Sequence, residues 1–97
     1  MKARKSKDIQ KTLAKKGFSL SGEKDHHQYY YLYYKGKKQR IFTYFSHGKK
    51  EYDKFLMNQI KKQLKFTDSE TADLFFDCPL KYEDYITHLQ NQGIIID

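Results

Sequence analysis

The chain has little of what disulfide-linked, metal-bound or membrane-embedded proteins need. Its single cysteine, Cys78, cannot form a disulfide within the chain, and no CxxC or Cys/His spacing points to a zinc site. No apolar run approaches the roughly 20 residues of a membrane-spanning helix. In a signal peptide an apolar run follows the basic residues at the start, and no such run follows them in this sequence. We therefore expect a soluble, cytoplasmic protein that uses no metal and no other cofactor.

Acidic residues are scarce in the first two thirds of the chain. Residues 1–66 contain 18 Lys and Arg against 5 Asp and Glu, a net charge of +13, whereas residues 67–97 contain 1 against 7, a net charge of −6. A basic body favours a polyanionic partner, and RNA is the first candidate. The alternative is that the lysines only keep a small domain soluble.

The hydrophobic pattern predicts one α+β domain of α-β-β-β-α order with a short helical C-terminal extension. Ser6 is predicted to cap the N-terminus of the first helix, which is predicted to end at Gly17, a residue that can adopt the positive φ of a helix C-terminus. Its predicted buried face carries Ile9, Leu13 and Ala14.

Aromatic and β-branched residues predict three strands, at residues 18–21, 26–34 and 40–45. Turns are predicted at residues 22–25 and around Gly36. Because these connections are short, neighbouring strands should pair antiparallel, as a three-stranded sheet. Both helices can then cover one face of that sheet.

A second helix is predicted from Tyr52 onward, and it completes a domain of residues 1–66. Its apolar residues recur at helical spacing and are Phe55, Leu56, Ile60 and Leu64.

Residues 67–97 are predicted to form an acidic extension of two short helices separated by Pro79. We expect this extension to lie across or near the basic face, and residues 94–96 to pack on the body or in an oligomer interface. His88, on the second of these helices, is expected to be a solvated surface group.

The middle strand is made largely of tyrosine, and alternation divides its side chains between two faces. One face carries Tyr29, Tyr31 and Tyr33, and the other carries Tyr30, Leu32 and Tyr34. One set must pack against the helices. The exposed set has two possible uses, stacking on nucleic-acid bases or forming a protein interface.

Four short stretches, in this order, resemble the HicA-type toxins of bacterial and archaeal toxin–antitoxin pairs. They are Lys16-Gly17-Phe18, Lys24-Asp25-His26-His27-Gln28-Tyr29, His47-Gly48-Lys49-Lys50-Glu51 and Gln59-Ile60-Lys61-Lys62-Gln63-Leu64, and the match covers roughly residues 6–66. The resemblance implies a double-stranded-RNA-binding-domain-like fold and cleavage of messenger RNA. It also implies a HicB-type antitoxin that covers the active surface.

The functional histidine of that family follows a Gly-Ser pair, and by this register the resemblance implies His26 as the catalytic residue, preceded here by Lys24-Asp25. Histidine can act as base or acid because its pKa lies near operating pH. His47 is a candidate second titrating group, since antiparallel pairing places it at the same end of the hairpin. We expect no metal site, because adjacent histidines on a strand diverge.

Lysine and arginine side chains are predicted to bind the RNA. The candidates are Lys24, Lys35, Lys37, Lys38, Arg40, Lys49, Lys50, Lys61 and Lys62. Of these, Lys24, Lys49 and Lys50 are expected to stabilise the charge that builds on phosphate during cleavage. The alternative is that this set is a solvated surface.

The sequence is therefore consistent with three functions. The first is a HicA-like, metal-independent endoribonuclease neutralised by a HicB-like antitoxin. The second is a non-catalytic RNA-binding module of the same fold, in which the Lys24-Asp25 change accompanies loss of cleavage. The third is a protein-binding adaptor in which the tyrosines and residues 94–96 form an oligomer interface.

Overall fold

A computed structural model describes residues 1–77 and 79–95, with Glu23 described by its backbone only, and shows an α+β fold. The elements are β1 (Arg4–Lys5), α1 (Ser6–Lys15), β2 (Phe18–Lys24), β3 (His27–Tyr34), β4 (Lys37–Ser46), β5 (Glu51–Tyr52), α2 (Lys54–Gln63), α3 (Ser69–Phe76) and α4 (Tyr82–Asn91). The predicted order of one helix, three strands and a second helix is confirmed. The short strands β1 and β5 were not predicted.

The main sheet has the order β2-β3-β4 and is antiparallel throughout. Two-residue turns connect its strands, Asp25-His26 in the first hairpin and Lys35-Gly36 in the second, and all four residues have φ between 52° and 74°. Positive φ at both turn positions is the type I′ pattern, whose twist matches that of paired strands. The predicted turn at residues 22–25 was therefore wrong. β2 continues to Lys24, and His26 lies in the turn instead of opening β3.

The short ribbon of β1 and β5 ties the N-terminus to the loop after β4. Arg4 lies opposite Tyr52 and Lys5 lies opposite Glu51. The backbone amide of Ser6 also donates to the carbonyl of Lys50, at 2.8 Å. The residue preceding α1 is Lys5, whose side chain forms no cap, so the predicted capping role of Ser6 was wrong. Ser6 is instead buried, and its hydroxyl accepts a hydrogen bond from Gln10.

Both helices of the predicted domain pack on one face of the main sheet. Their buried side chains join those of the sheet in a single core cluster, which includes Ile9, Leu13, Phe18, Leu32, Ile41, Phe45, Met57, Ile60 and Leu64. Two predictions were wrong in detail. Ala14 is exposed, and Phe55 is 68% exposed, because the buried stripe of α2 runs through Met57 and Ile60 one turn apart.

The helices α3 and α4 belong to the same core. Phe75, Tyr85 and Leu89 are fully buried, and the Tyr85 hydroxyl donates to the carbonyl of Leu64 at 2.7 Å. This burial raises the pKa of Tyr85 well above its ordinary value, so it stays a neutral phenol. Lys16 is also buried, and its ammonium group donates to the carbonyl of Phe75.

The described ion pairs of the C-terminal segment involve the N-terminus of the chain. Arg4 Nη2 lies 3.1 Å from Asp73 Oδ1 and 3.1 Å from Asp77 Oδ1, and Lys2 Nζ lies 3.6 Å from Asp77 Oδ1. The expectation that the acidic extension lies across or near the basic face stays a prediction. His88 is half-buried, with its ring stacked 5.4 Å from that of Phe66, so it is no solvated surface group.

Of the last residues of the chain, the structure describes those up to Ile95. Ile95 is buried and Ile94 is 39% exposed, which confirms packing on the body for Ile95. Cys78 and Ile96, which also figure in the sequence predictions, lie outside the described residues.

Candidate functional site

His26 occupies the second position of the turn that joins β2 to β3. Its φ of 65° and the φ of 52° at Asp25 are values that side chains with a Cβ adopt only rarely, mostly in such turns. The side chain of His26 is exposed. The turn thus holds the imidazole at the outer end of the hairpin, within reach of a ligand in solvent.

His47 is adjacent to His26 in space. Its backbone amide donates to the carbonyl oxygen of His26 at 3.0 Å, and the neighbouring residues His27 and Ser46 are the last paired positions of β3 and β4. The prediction that these two histidines lie at the same end of the sheet is confirmed. Their catalytic roles stay predictions.

Three of the predicted lysines lie at this same end. Lys24 is paired with His27 at the end of β2, and Lys49 and Lys50 follow His47 in the loop that leads to β5. All three side chains are exposed. We call the set His26, His47, Lys24, Lys49 and Lys50 the histidine end of the sheet.

The other predicted cations lie elsewhere. Lys35 and Lys37 belong to the opposite turn of the β3–β4 hairpin, about 23 Å away along the eight residues of β3. Lys61 is on α2, and its ammonium group lies 3.3 Å from the Ser69 hydroxyl. Lys62 is exposed on the same helix. These side chains can extend a binding surface beyond the histidine end.

A continuous strip of rings covers the sheet face opposite the helices. We call it the aromatic strip, and its members are His27, Tyr29 and Tyr31 of β3 with Phe42 and Tyr44 of β4. On the other face of β3, Leu32 is fully buried, and Tyr30 and Tyr34 pack against the core. The predicted alternation is thus confirmed for these positions.

Sequence reasoning missed the contribution of β4 to this strip. Phe42 lies opposite Tyr31, and Tyr44 lies opposite Tyr29. Between Tyr31 and Tyr33 the register shifts, because β4 carries two more residues than β3 there. Such a bulge depends on the pairing of two strands and leaves no clear local signal in either one.

A cleft of about 330 Å³ opens beside the histidine end, between β4 and α2. His27, Tyr44 and Lys49 line one part of it, and Tyr52 and Gln63 line another. Burial raises the pKa of Tyr52, although its hydrogen bonds with Ser46 oppose the rise, so this residue is a neutral phenol at physiological pH. Its hydroxyl accepts from the Ser46 amide at 3.1 Å and thereby holds the end of β4 against β5.

Among the described residues, no three His, Cys, Asp or Glu side chains are grouped so that they could hold a metal ion. None of the helices in residues 1–77 and 79–95 has both the length and the apolar character required to span a bilayer.

Comparison with known protein families identifies the chain. The family described as HicA toxin of bacterial toxin–antitoxin systems matches residues 6–66, which is well over half of the 97 residues. Comparison with curated proteins and with solved structures gives no significant match. The matched range runs from the first residue of α1 to just beyond α2 and includes the whole histidine end and the aromatic strip. The chain belongs to the HicA family of toxins from bacterial toxin–antitoxin systems.

Proposed function

We propose that this HicA-family toxin is an endoribonuclease that cleaves messenger RNA at the histidine end of the sheet without a metal ion. The observation that carries the proposal is the hydrogen bond from the His47 amide to the His26 carbonyl. It sets two exposed imidazole side chains on adjacent backbone segments, beside three exposed lysines.

The chemistry needs a base and an acid. One imidazole removes the proton of a ribose 2′-hydroxyl, and the 2′-oxygen attacks the adjacent phosphorus. The bond from phosphorus to the 5′-oxygen breaks, and the second imidazole, as the imidazolium, protonates that leaving oxygen. The products are one fragment with a 2′,3′-cyclic phosphate and one with a 5′-hydroxyl. We assign His26 and His47 to these two roles, in an order that the pH dependence of the rate would reveal.

The lysines of the histidine end would act on the charge of the phosphate and not on protons. Lys24, Lys49 and Lys50 would stabilise the negative charge on the non-bridging oxygens as it increases in the transition state. Lys35, Lys37, Lys38, Arg40, Lys61 and Lys62 would hold more distant phosphates, and binding should therefore weaken as salt rises.

A HicB-type antitoxin is the protein partner that family membership favours. We propose that it neutralises the toxin by covering the histidine end, where it would exclude RNA from both imidazoles. Induction of the toxin should arrest bacterial growth, and His26→Ala should abolish the arrest. Co-expression of a HicB-like protein encoded beside the toxin should restore growth of cells that make the wild type.

The direct test is cleavage of labelled single-stranded and duplex RNA by the purified protein in the presence of EDTA. The wild type, His26→Ala and the control variant His88→Gln are compared. His88 stacks on Phe66 far from the histidine end, and its ring nitrogen lies 3.3 Å from the Lys65 carbonyl, a contact that glutamine can preserve. We expect the wild type and the control to leave 2′,3′-cyclic phosphate ends, and His26→Ala to leave most of the RNA uncut over the same time.

Other outcomes would point to the other functions. Salt-dependent RNA binding without cleavage by the wild type would make the protein a non-catalytic binding module. Absence of RNA binding at low salt would overturn every nucleic-acid function and favour the adaptor. Cleavage that EDTA abolishes would overturn the metal-independent mechanism.

A further inference from the structure

We propose that the aromatic strip is a stacking platform for unpaired RNA bases, so that the RNA crossing this sheet is single-stranded. The proposal rests on the RNA-cleaving function above and adds the class of substrate and the surface that selects it.

The ring geometry is that of a connected platform. From the histidine end outward, the ring centroids of His27 and Tyr44 are 5.1 Å apart, those of Tyr44 and Tyr29 are 5.6 Å apart, and those of Tyr29 and Phe42 are 6.1 Å apart. Phe42 and Tyr31 then stack, with centroids 5.0 Å apart and an angle of 24° between their planes. His27 and Tyr31 are four positions apart along the strand, a length of about 13 Å. Other RNA-binding sheets use aromatic residues at such spacing to stack about two or three bases.

Cations border this platform where the phosphates of a stacked strand would lie. Lys38 Nζ lies 3.9 Å from the ring centroid of Tyr31. A shallow depression of about 350 Å³ is lined by Lys24, Lys38, Tyr29 and Tyr31 with Ser21 and Gly22, and no acidic side chain is among its described lining residues. Rings beside lysine side chains offer a base a flat apolar surface and offer its phosphates a counter-charge.

This arrangement favours unpaired RNA over duplex. In an A-form helix the flat faces of the bases are stacked on one another, and proteins contact mainly phosphates and 2′-hydroxyls. A ring on an open sheet can reach a base face only when that base leaves the helix. The helices α1 and α2 pack on the other side of the sheet, so described elements of this chain leave the strip uncovered.

The strip also leads to the proposed catalytic groups. His27 is its last ring, it follows His26 directly in the chain, and it lies opposite Ser46, which precedes His47. A strand stacked along the strip would therefore present the next phosphodiester to the histidine end. The two surfaces together form one path for RNA.

A protein partner fits the strip less well. Exposed rings also occur at protein interfaces, where charged residues are depleted from the centre. Here Lys38 lies directly over Tyr31, and Lys24 lies in the same depression, so positive charges are part of the platform. The complementary partner is a polyanion that also has flat apolar groups, and single-stranded RNA has both.

Stacking is tested with 2′-O-methyl RNA, which lacks the nucleophilic hydroxyl and so separates binding from cleavage. Three RNAs of equal length are compared by fluorescence anisotropy: a single strand, a duplex, and a single strand with its central bases removed, which carries the same charge as the intact single strand. The proteins are the wild type, Tyr31→Leu, Phe42→Leu and the control Phe55→Leu. Phe55 is 68% exposed but lies on α2, away from the strip. Melting curves check that each variant is folded.

We expect the wild type to bind the intact single strand more tightly than the duplex. Tyr31→Leu and Phe42→Leu should each weaken that binding by about 5- to 100-fold, the range for loss of one stacked base. They should change binding of the base-free strand little, and Phe55→Leu should match the wild type on all three RNAs.

Each other outcome has a distinct meaning. Equal losses on the intact and base-free strands, or no loss on either, would overturn stacking while leaving the ribonuclease proposal intact. Unchanged RNA affinity together with a change in molar mass on light scattering would assign the strip to contact between copies of this chain. No RNA binding by the wild type would overturn both proposals.

Discussion

The backbone amide of His47 donates a hydrogen bond to the carbonyl oxygen of His26 across 3.0 Å, and this contact links the turn before β3 to the loop after β4. Two segments that are 21 positions apart in the sequence thereby hold their imidazoles at one corner of the sheet. Neither residue belongs to a strand, so loop geometry sets the spacing of the two rings.

From this contact we expect His26→Ala and His47→Ala each to slow RNA cleavage by about 10²- to 10⁴-fold, the range for loss of a general acid or base. The double variant should be about as slow as the slower single variant, because groups that act together in one step do not contribute additively. Single-turnover rates with saturating protein measure this. A His47→Ala variant as active as the wild type would remove His47 from the mechanism.

His27 should act through its ring surface. Its described ring contacts are edge-on to Tyr44 at 5.1 Å and to Tyr29 at 6.4 Å, as a member of the aromatic strip. We therefore expect His27→Phe to keep most of the cleavage rate and His27→Ala to weaken binding of single-stranded RNA. Comparing these two substitutions under the conditions used for His26→Ala separates ring packing from proton transfer. Loss of cleavage in His27→Phe with normal RNA binding would instead make His27 a catalytic residue.

Gly17 has a second constraint besides its backbone conformation. Its φ is 88°, and a Cβ at this position would lie 2.2 Å from Cε1 of Tyr82. The Tyr82 ring cannot move away freely, since its hydroxyl donates to the Tyr33 carbonyl at 3.0 Å. Gly36 provides the matched comparison, because its φ is 74° and no atom lies within 4 Å of a built Cβ.

We expect Gly36→Ala to lower the free energy of unfolding by about 1–2 kcal/mol, the cost of a left-handed conformation for a residue with a Cβ. Gly17→Ala should lose that amount and about 1–3 kcal/mol more from the forced displacement of Tyr82. Urea denaturation of both variants gives the comparison. Equal losses would show that Tyr82 yields without cost and that only backbone strain matters at Gly17.

Local patterns in the sequence were sufficient to predict the helices and the three long strands. Tyr29 and Tyr31 alternate with Leu32 because neighbouring strand residues point to opposite faces, and this requires no knowledge of the partner strand. The N-terminus of α3 also depends on a local signal. The Asp68 carboxylate accepts a hydrogen bond from the Thr71 amide at 2.8 Å, as an N-cap residue does.

Features that depend on distant pairing could not be predicted. The β1–β5 ribbon joins Arg4 to Tyr52, and two-residue strands have too few side chains to show a pattern. The turn at Asp25-His26 was predicted at residues 22–25 because Gly22 is the stronger turn former in isolation. In the fold Gly22 lies at an irregularity within β2, where the register with β3 shifts between Leu20 and Glu23.

The contacts of the extension after residue 66 could not be predicted from its net charge either. Its net negative charge predicted a position across or near the basic face, and the burial of its apolar side chains sets where its carboxylates lie. Phe75 and Tyr85 fill the core, and the carboxylates of Asp73 and Asp77 then lie beside Arg4. Composition alone could not show which cations of residues 1–66 these carboxylates would pair with.

The ion pair between Arg4 and Asp77 makes the free energy of unfolding depend on pH. Burial favours a higher pKa for Asp77, but the hydrogen bond and charge of Arg4, together with Lys2, outweigh it and lower the pKa below its ordinary value of 3.8. Because the pKa is lower in the folded state than in the unfolded state, the carboxylate stabilises the fold at pH values above 3.8. That stabilisation is lost as the pH falls through the folded-state value.

We therefore expect Asp77→Asn to lower the free energy of unfolding at pH 7, by less than about 1 kcal/mol because the carboxylate is half-exposed and screened by solvent. The difference from the wild type should shrink below pH 4 and vanish once Asp77 is protonated in both states. Urea denaturation between pH 2 and pH 7 measures it, with Glu51→Gln, an exposed carboxylate on β5, as the control. Arg4 Nη2 also lies 3.1 Å from Asp73 Oδ1. The substitution therefore removes only one of the two carboxylates that pair with Arg4. A difference that stayed constant down to pH 2 would show that Asp77 acts through packing, since its charge would then be irrelevant.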